Sequence, residues 1–170
     1  MLPSVAAHAA HAILGRMSQL ESPAADVALE VPLSAIEDAA GRLDGYVHRT
    51  PLMSSRTAAI WTERATGVEL ADGLLYLKAE HLQKTGSFKA RGMTNRIATL
   101  PEEARLRGAI TLSAGNAGQA YAWAGAAAGV PVTVVMPEGA VRSKVDACLD
   151  YGARVILHGE HVGDSFAEME

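Results

Sequence analysis

From residue 109 onward the chain alternates short apolar runs with helical stretches at a regular spacing, and few folds accommodate that alternation. Ala109-Ile110-Thr111-Leu112 is followed by an alanine-rich helix over 116–128 and then by Pro131-Val132-Thr133-Val134-Val135-Met136. Two apolar strands joined by a helix make a βαβ unit, and its strands run parallel. A second helix over 141–151, stopped by Gly152, leads to the next strand, Arg154-Val155-Ile156-Leu157-His158. Strands that are apolar throughout are buried on both faces, so helices must cover the sheet on both sides. The expected class is α/β, an open, twisted parallel sheet with helices on both faces.

The upstream segment is punctuated by caps and breakers. Ser34, with Glu37 three residues on, reads as the capping box of a helix over 34–40 that Gly41 or Gly45 ends. After the turn at Thr50-Pro51, a helix capped by Ser55 runs through Trp61 to Ala65, with Gly67 as its stop. A strand over 74–80, a glycine-containing loop and a helix over 88–100 halted by Pro101 complete the series. Residues 1–32 are rich in Ala, Ser and Pro with little periodicity, and the pattern changes at Pro32-Leu33-Ser34. A boundary is placed there, with a poorly ordered extension before it. The apolar run over 5–14 lacks a basic flank and is broken by His8 and His11, which reads as a leader without targeting character.

Composition narrows the partners. A net charge of −4 and no cluster of basic and aromatic residues argue against nucleic acid. No stretch approaches the roughly 20 apolar residues of a spanning helix, so no membrane segment is expected. One cysteine, Cys148, excludes an internal disulfide and fits a reducing, cytoplasmic setting. The six histidines lack ligand spacing, so no metal site is expected. His48 and His81 read as solvated or capping residues, and Cys148, Trp61 and Trp123 as packing residues.

In open α/β sheets ligands gather beyond the carboxyl ends of the strands, so the loops leaving 74–80 and 109–112 carry the chemistry. The first is Gln83-Lys84-Thr85-Gly86-Ser87-Phe88-Lys89-Ala90-Arg91-Gly92, in which Ser87 is placed to cap the next helix and Lys89 to sit in its first turn. Unpaired N–H groups and the helix dipole disfavour a cation there, and imine chemistry needs the neutral amine. The chain has four lysines: Lys78 falls in a strand, Lys144 reads as a helix-surface charge, and Lys84 is the rival. Taken alone, a lysine in a first helical turn is more often a surface residue. The second loop, Ser113-Ala114-Gly115-Asn116-Ala117-Gly118-Gln119, leaves a strand and opens a helix, the geometry of an anion site. Ser113 or Asn116 can equally be read as a simple helix cap. The glycine spacing is not the dinucleotide fingerprint, and Lys84-Thr85-Gly86 has no S-x-x-K or S-D-N companions of a penicillin-binding enzyme.

Taken together, His48-Arg49-Thr50-Pro51-Leu52, Tyr76-Leu77-Lys78-Ala79-Glu80, Thr85-Gly86-Ser87-Phe88-Lys89-Ala90-Arg91-Gly92 and Ser113-Ala114-Gly115-Asn116, in this order, resemble the fold-type II pyridoxal-phosphate enzymes, nearest the threonine dehydratase and serine racemase group. The likeness runs from about residue 34 to the end. It implies the N-terminal part of the tryptophan-synthase-β-like fold. Residues 33–105 would begin the larger cofactor-binding domain with the Schiff-base lysine, and 106–170 would be the smaller α/β domain with the substrate-carboxylate loop. By the same resemblance Lys89 holds pyridoxal 5′-phosphate, Phe88 lines the cofactor pocket and Asn116 hydrogen-bonds the cofactor's 3′ oxygen. Ser87, Ser113 and Asn116, with the amides of Ala114 and Gly115, hold the substrate carboxylate. Lys89, released by the substrate amine, is the base for the α-proton, and the β-hydroxyl leaves to give a 2-oxo acid and ammonia. The implied function is a threonine (or serine) dehydratase acting on a small amino acid, a homo-oligomer when full length.

Two departures shape that reading. Racemases of this group carry a serine where this chain has Ala114, which favours elimination, and the usual histidine after the asparagine is Ala117. Such enzymes are also roughly twice as long. Their other half carries a glycine-rich loop for the cofactor phosphate and a partner for the pyridine nitrogen, and these 170 residues hold neither. The resemblance therefore implies a fragment with an exposed apolar sheet edge, Ser165–Glu170 being the start of a helix. The competing readings are a serine racemase, another β-elimination or β-replacement enzyme of the same fold, and a non-catalytic truncated remnant.

Overall fold

Two sheets, not one, organise the chain. The computed structural model describes residues 31–161 with 163, 164 and 166, so the expectations for the extension up to residue 30 and for most of the terminal helix lie outside the described residues. By its contacts the stretch from Ser34 onward forms one compact unit, and the site lies within it. Helix α1 (Leu33–Leu43) is followed by β1 (Leu52–Ser55), α2 (Arg56–Thr66) and β2 (Leu75–Lys78). Single 3-10 turns at Glu80–Leu82 and Lys84–Gly86 lead to α3 (Lys89–Ala98) and the short α4 (Glu102–Arg107). The regular half follows as β3 (Ala109–Leu112), α5 (Asn116–Ala128), β4 (Val132–Met136), α6 (Arg142–Asp150) and β5 (Arg154–Leu157).

The class is α/β, as the pattern requires. Strands β3, β4 and β5 form a parallel sheet in that order, with Ala109 opposite Val132 and Thr133 opposite Arg154. Central β4 is apolar almost throughout because it is shielded on both faces: Val134, Val135 and Met136 are completely buried. Val145 and Cys148 of α6 pack onto it with Ala122 of α5, so Cys148 is a core residue as expected. Burial raises its thiol pKa. The apolar Ile110 and Leu157, on the two edge strands, remain about half exposed.

Strand β2 does not belong to this sheet. It pairs antiparallel with β1, Met53 opposite Leu77, in a separate two-stranded ribbon. The sequence pattern misses β1 because its four residues are largely exposed and exist as a strand only through that pairing. Local caps are read more faithfully. Ser55 accepts the Ala58 N–H at 3.1 Å to open α2, and Gly67, at φ 73°, closes it with an N–H to the Glu63 carbonyl. The capping box at Ser34 is not used, because α1 already begins at Leu33 and runs through Gly41. Trp61, expected as a packing residue, is 67% exposed on α2, whereas Trp123 packs beside the Ile97 cluster.

Helix α5 settles closely onto β4 because it is largely alanine and glycine. A Cβ on Gly118 would lie 2.6 Å from the Ser113 carbonyl oxygen and 2.9 Å from Val134 Cγ1. One on Gly125 would lie 2.7 Å from the Val130 carbonyl oxygen and overlap Val132. This close approach seats the start of α5, and hence the second loop, at the carboxyl end of β3. Gly125→Ala is expected to destabilise the chain by about 1–2 kcal/mol through overpacking, read as a lower urea midpoint with unchanged slope.

Candidate active site

The first loop is held by a polar cluster assembled from residues far apart in the chain. Arg91, in the first turn of α3, donates through Nε to Glu80 Oε2 at 2.9 Å and through a terminal nitrogen to Oε1 at 2.7 Å, a bidentate pair. The Thr50 hydroxyl donates to the same carboxylate, and the Lys78 ammonium donates to the Thr50 carbonyl. The hydrogen bond from Arg91 is the main cause that holds the Glu80 carboxyl at about 2, well below its usual range, against the opposing effect of burial. Buried Gln83 receives the His48 N–H at 2.7 Å and donates to the His48 carbonyl at 2.8 Å, which ties the His48–Pro51 stretch to the turn before Lys89. His48 Nδ1 lies 3.0 Å from the Leu82 carbonyl oxygen, so this ring is a local tether.

Within that frame the turn over Thr85–Ser87 is strained and unsatisfied. Thr85 has φ 59°, the single positive φ at a non-glycine among the described residues, and a β-branched side chain resists that conformation. The hydroxyls of Thr85 and Ser87 are buried without a hydrogen-bond partner among the described residues. An orphaned buried hydroxyl costs about 1–3 kcal/mol, so two of them within three residues point to a bound group that satisfies them. Ser87 does not cap α3 with its side chain, contrary to the sequence expectation. Its carbonyl takes the Ala90 N–H instead, and the hydroxyl is left over.

Lys89 is the first residue of α3 and half-buried, its Nζ 5.1 Å from the centroid of the exposed Phe88 ring. The other lysines sort themselves by their contacts. Lys78 is committed to Thr50, and Lys144 donates to Asn116 Oδ1 at 2.6 Å and to Gln119 Oε1 at 3.0 Å. Lys144 is thus not the plain surface charge that the sequence suggests. Lys84 and Lys89 are the two lysines whose ammonium groups donate no hydrogen bond among the described residues.

The second loop begins where β3 ends: the Ser113 N–H bonds the Val135 carbonyl, and the Ser113 hydroxyl accepts the Gly115 N–H at 3.3 Å. Helix α5 opens at Gly115 with no side-chain cap, so neither Ser113 nor Asn116 serves as the cap that the sequence leaves open as an alternative. Ala114 and Gly115 are half-buried and Asn116 is exposed. Helix α5 packs against both α3 and the Lys84–Gly86 turn, which makes the two loops neighbours in the fold. A cavity of about 240 Å³ elsewhere, lined by Arg42, Tyr46, Thr94 and Arg105 among others, holds neither loop, so chemistry rather than concavity locates the site. Among the described residues no group of histidines, cysteines and carboxylates is placed to hold a metal. No helix among them is long and apolar enough to cross a membrane.

A free amine, orphaned hydroxyls on a strained turn and an uncapped helix start suit a carbonyl cofactor with anionic substituents, and the chain belongs to the pyridoxal-phosphate dependent enzyme family, whose pattern it matches over residues 43–170. It is 42% identical over 136 residues to an L-threonine ammonia-lyase of Thermotoga maritima, an alignment that covers 80% of this chain and 32% of that protein. Among solved structures it is similar to the serine racemase of Dictyostelium discoideum, with a TM-score of 0.69 and 37% identity over 81% of this chain and 42% of that one. Maize serine racemase gives a TM-score of 0.68 and 34% identity over 80% and 39% of the two chains. The chain thus spans 32–40% of the length of curated relatives such as the Thermotoga and Escherichia coli proteins.

Proposed function

We propose that this chain is the part of a pyridoxal-phosphate-dependent lyase that carries the cofactor lysine and the substrate-carboxylate loop, in an enzyme that removes the β-hydroxyl and amino group of threonine or serine. The observation that carries this reading is the half-buried, uncommitted amine of Lys89 beside the partnerless hydroxyls of Thr85 and Ser87. Lys89, Phe88 and Asn116 would hold the cofactor. Pyridoxal phosphate, when bound, supplies the electron-withdrawing ring that takes up charge from the substrate α-carbon. The Lys89 amine holds that group and, once freed, takes the α-proton.

The substrate carboxylate would lie at the start of α5, against Ser87, Ser113 and Asn116 and the amides of Ala114 and Gly115. The Ser113 hydroxyl accepts one long bond and keeps its own proton to donate. At Ala114 no hydroxyl is present to move a proton on the opposite side of the substrate, so elimination is favoured over racemisation. The proposal includes a division of labour at about residue 105, with the amine on the first part and the carboxylate loop on the second. It also includes homo-oligomeric assembly of the whole enzyme and a cytoplasmic setting, as for a metabolic enzyme of small amino acids.

Incubating the complete protein with pyridoxal phosphate and L-threonine or L-serine, and measuring 2-oxo acid and ammonia, tests the reading. Absence of cofactor uptake overturns it, and D-serine as the product would replace the lyase with a racemase. Ser113→Ala is expected to raise KM about tenfold with kcat nearly unchanged, the loss of one charge-assisted bond made equally in ground and transition states. An unchanged KM would remove Ser113 from the carboxylate site.

A further inference from the structure

Lys144 lies on α6, 28 residues beyond Asn116 in sequence, yet its ammonium reaches back to the start of α5. Its partners there are two neutral amide oxygens, Asn116 Oδ1 at 2.6 Å and Gln119 Oε1 at 3.0 Å. No ion pair of Lys144 occurs among the described residues, in contrast to Arg142, whose Nε pairs with Asp146 at 2.8 Å. A cation at a helix N-terminus opposes the dipole, so an arrangement with amide oxygens alone is poorly compensated until an anion comes close.

An ammonium has only donors. The amide of Asn116 can therefore meet it only through its oxygen, which fixes the amide against rotation and leaves the NH2 end as a donor without a partner among the described residues. We infer that Lys144 is a positioning residue, whose grip on Asn116 and Gln119 turns the Asn116 amide into an oriented donor for the cofactor. The inference rests on the proposed function, which assigns Asn116 to the cofactor. Without Lys144 the amide is free to present oxygen or nitrogen, and an anionic oxygen of the cofactor meets a repulsive end in one of the two orientations.

The experiment uses the complete protein with Lys144→Met, Lys144→Arg, Asn116→Ala, Gln119→Leu and the Lys144→Met/Asn116→Ala double variant. Pyridoxal phosphate affinity is read by equilibrium dialysis, and the Asn116 and Gln119 side-chain amide resonances are read by NMR in cofactor-free protein. Lys144→Met is expected to weaken cofactor binding about tenfold, the loss of one charge-assisted bond, and to shift both amide resonances. It adds nothing further on the Asn116→Ala background. Lys144→Arg, which keeps the donors and the charge, restores most of the affinity, and Gln119→Leu, which loosens the same ammonium, gives a loss of ~3-fold in the same direction. A Lys144→Met protein that binds as the wild type does, or whose loss adds to that of Asn116→Ala, overturns the inference alone. Wild-type protein that takes up no cofactor overturns the proposed function and this inference with it.

Discussion

Lys89→Ala is expected to abolish both the visible absorbance of bound cofactor and the formation of 2-oxo acid in the complete protein. The expected loss in turnover is ~10⁴-fold or more, because the proposed function makes one side chain at once the amine that holds the cofactor and the base for the α-proton. The rival is specific. Lys84 also has an ammonium without a hydrogen-bond partner among the described residues, and it stands in the same turn, but Lys84→Ala is expected to leave the absorbance in place. The two variants separate the candidates in a spectrophotometer before any kinetics are measured. Absorbance that survives Lys89→Ala and disappears with Lys84→Ala would move the site to the other end of the turn and dissolve the link with Ser87. Neither substitution breaks a contact that holds the fold: Lys89 only overlies an exposed ring, and Lys84 is tied through its backbone. Circular dichroism should therefore be unchanged in both.

The chemistry of this turn depends on the surroundings it is given. Thr85 is held at positive φ and its hydroxyl is buried unsatisfied, two costs that a turn under no functional demand would shed through glycine or a shorter loop. They are tolerated because the turn is clamped from both sides, by Gln83 to His48 and by Arg91 to Glu80 and Thr50. The clamp and the strained turn together form the rigid support that a precisely placed amine requires.

How much of this is legible from the chain follows the range of the interactions. Ser55 and Gly67 are legible as caps because a cap is decided within a few residues. Central β4 is legible because complete burial leaves a continuous apolar run. Strand β1 is not, since only its pairing with β2 makes it a strand. Ser87 looks like a cap in sequence, but whether its hydroxyl or its carbonyl meets the helix is settled by packing around the turn. Lys144 is the larger miss: on an amphipathic helix a lone lysine looks solvated, and its partners lie 25 and 28 residues upstream. The Glu80 and Arg91 positions stand out by resemblance, while their structural duty becomes visible only with Thr50 and His48 in place.

That duty sets the second large effect. Arg91→Met leaves the Glu80 carboxylate without its bidentate partner in a site that exposes 17% of its side chain. The expected cost is about 2–3 kcal/mol at pH 7, below the roughly 3–5 kcal/mol of a fully buried pair because the Arg91 side chain is itself 32% exposed. Acid should reveal the same pair. In the folded wild type the Glu80 carboxyl is held at about 2 against a usual 4.5, so the unfolded chain binds its proton first. The stabilisation is complete above pH 4.5 and drains away as pH falls towards 2. Arg91→Met removes the largest cause of the depression, leaving the smaller effects of Thr50 and Lys78, so its urea midpoint should lie well below the wild type at pH 7 and close on it as the pH falls through that window. Curves that stay parallel over that span would show that Arg91 stabilises by packing alone. Convergence, joined to weaker cofactor uptake at pH 7, would establish that the charge pair holds the turn from which Lys89 projects.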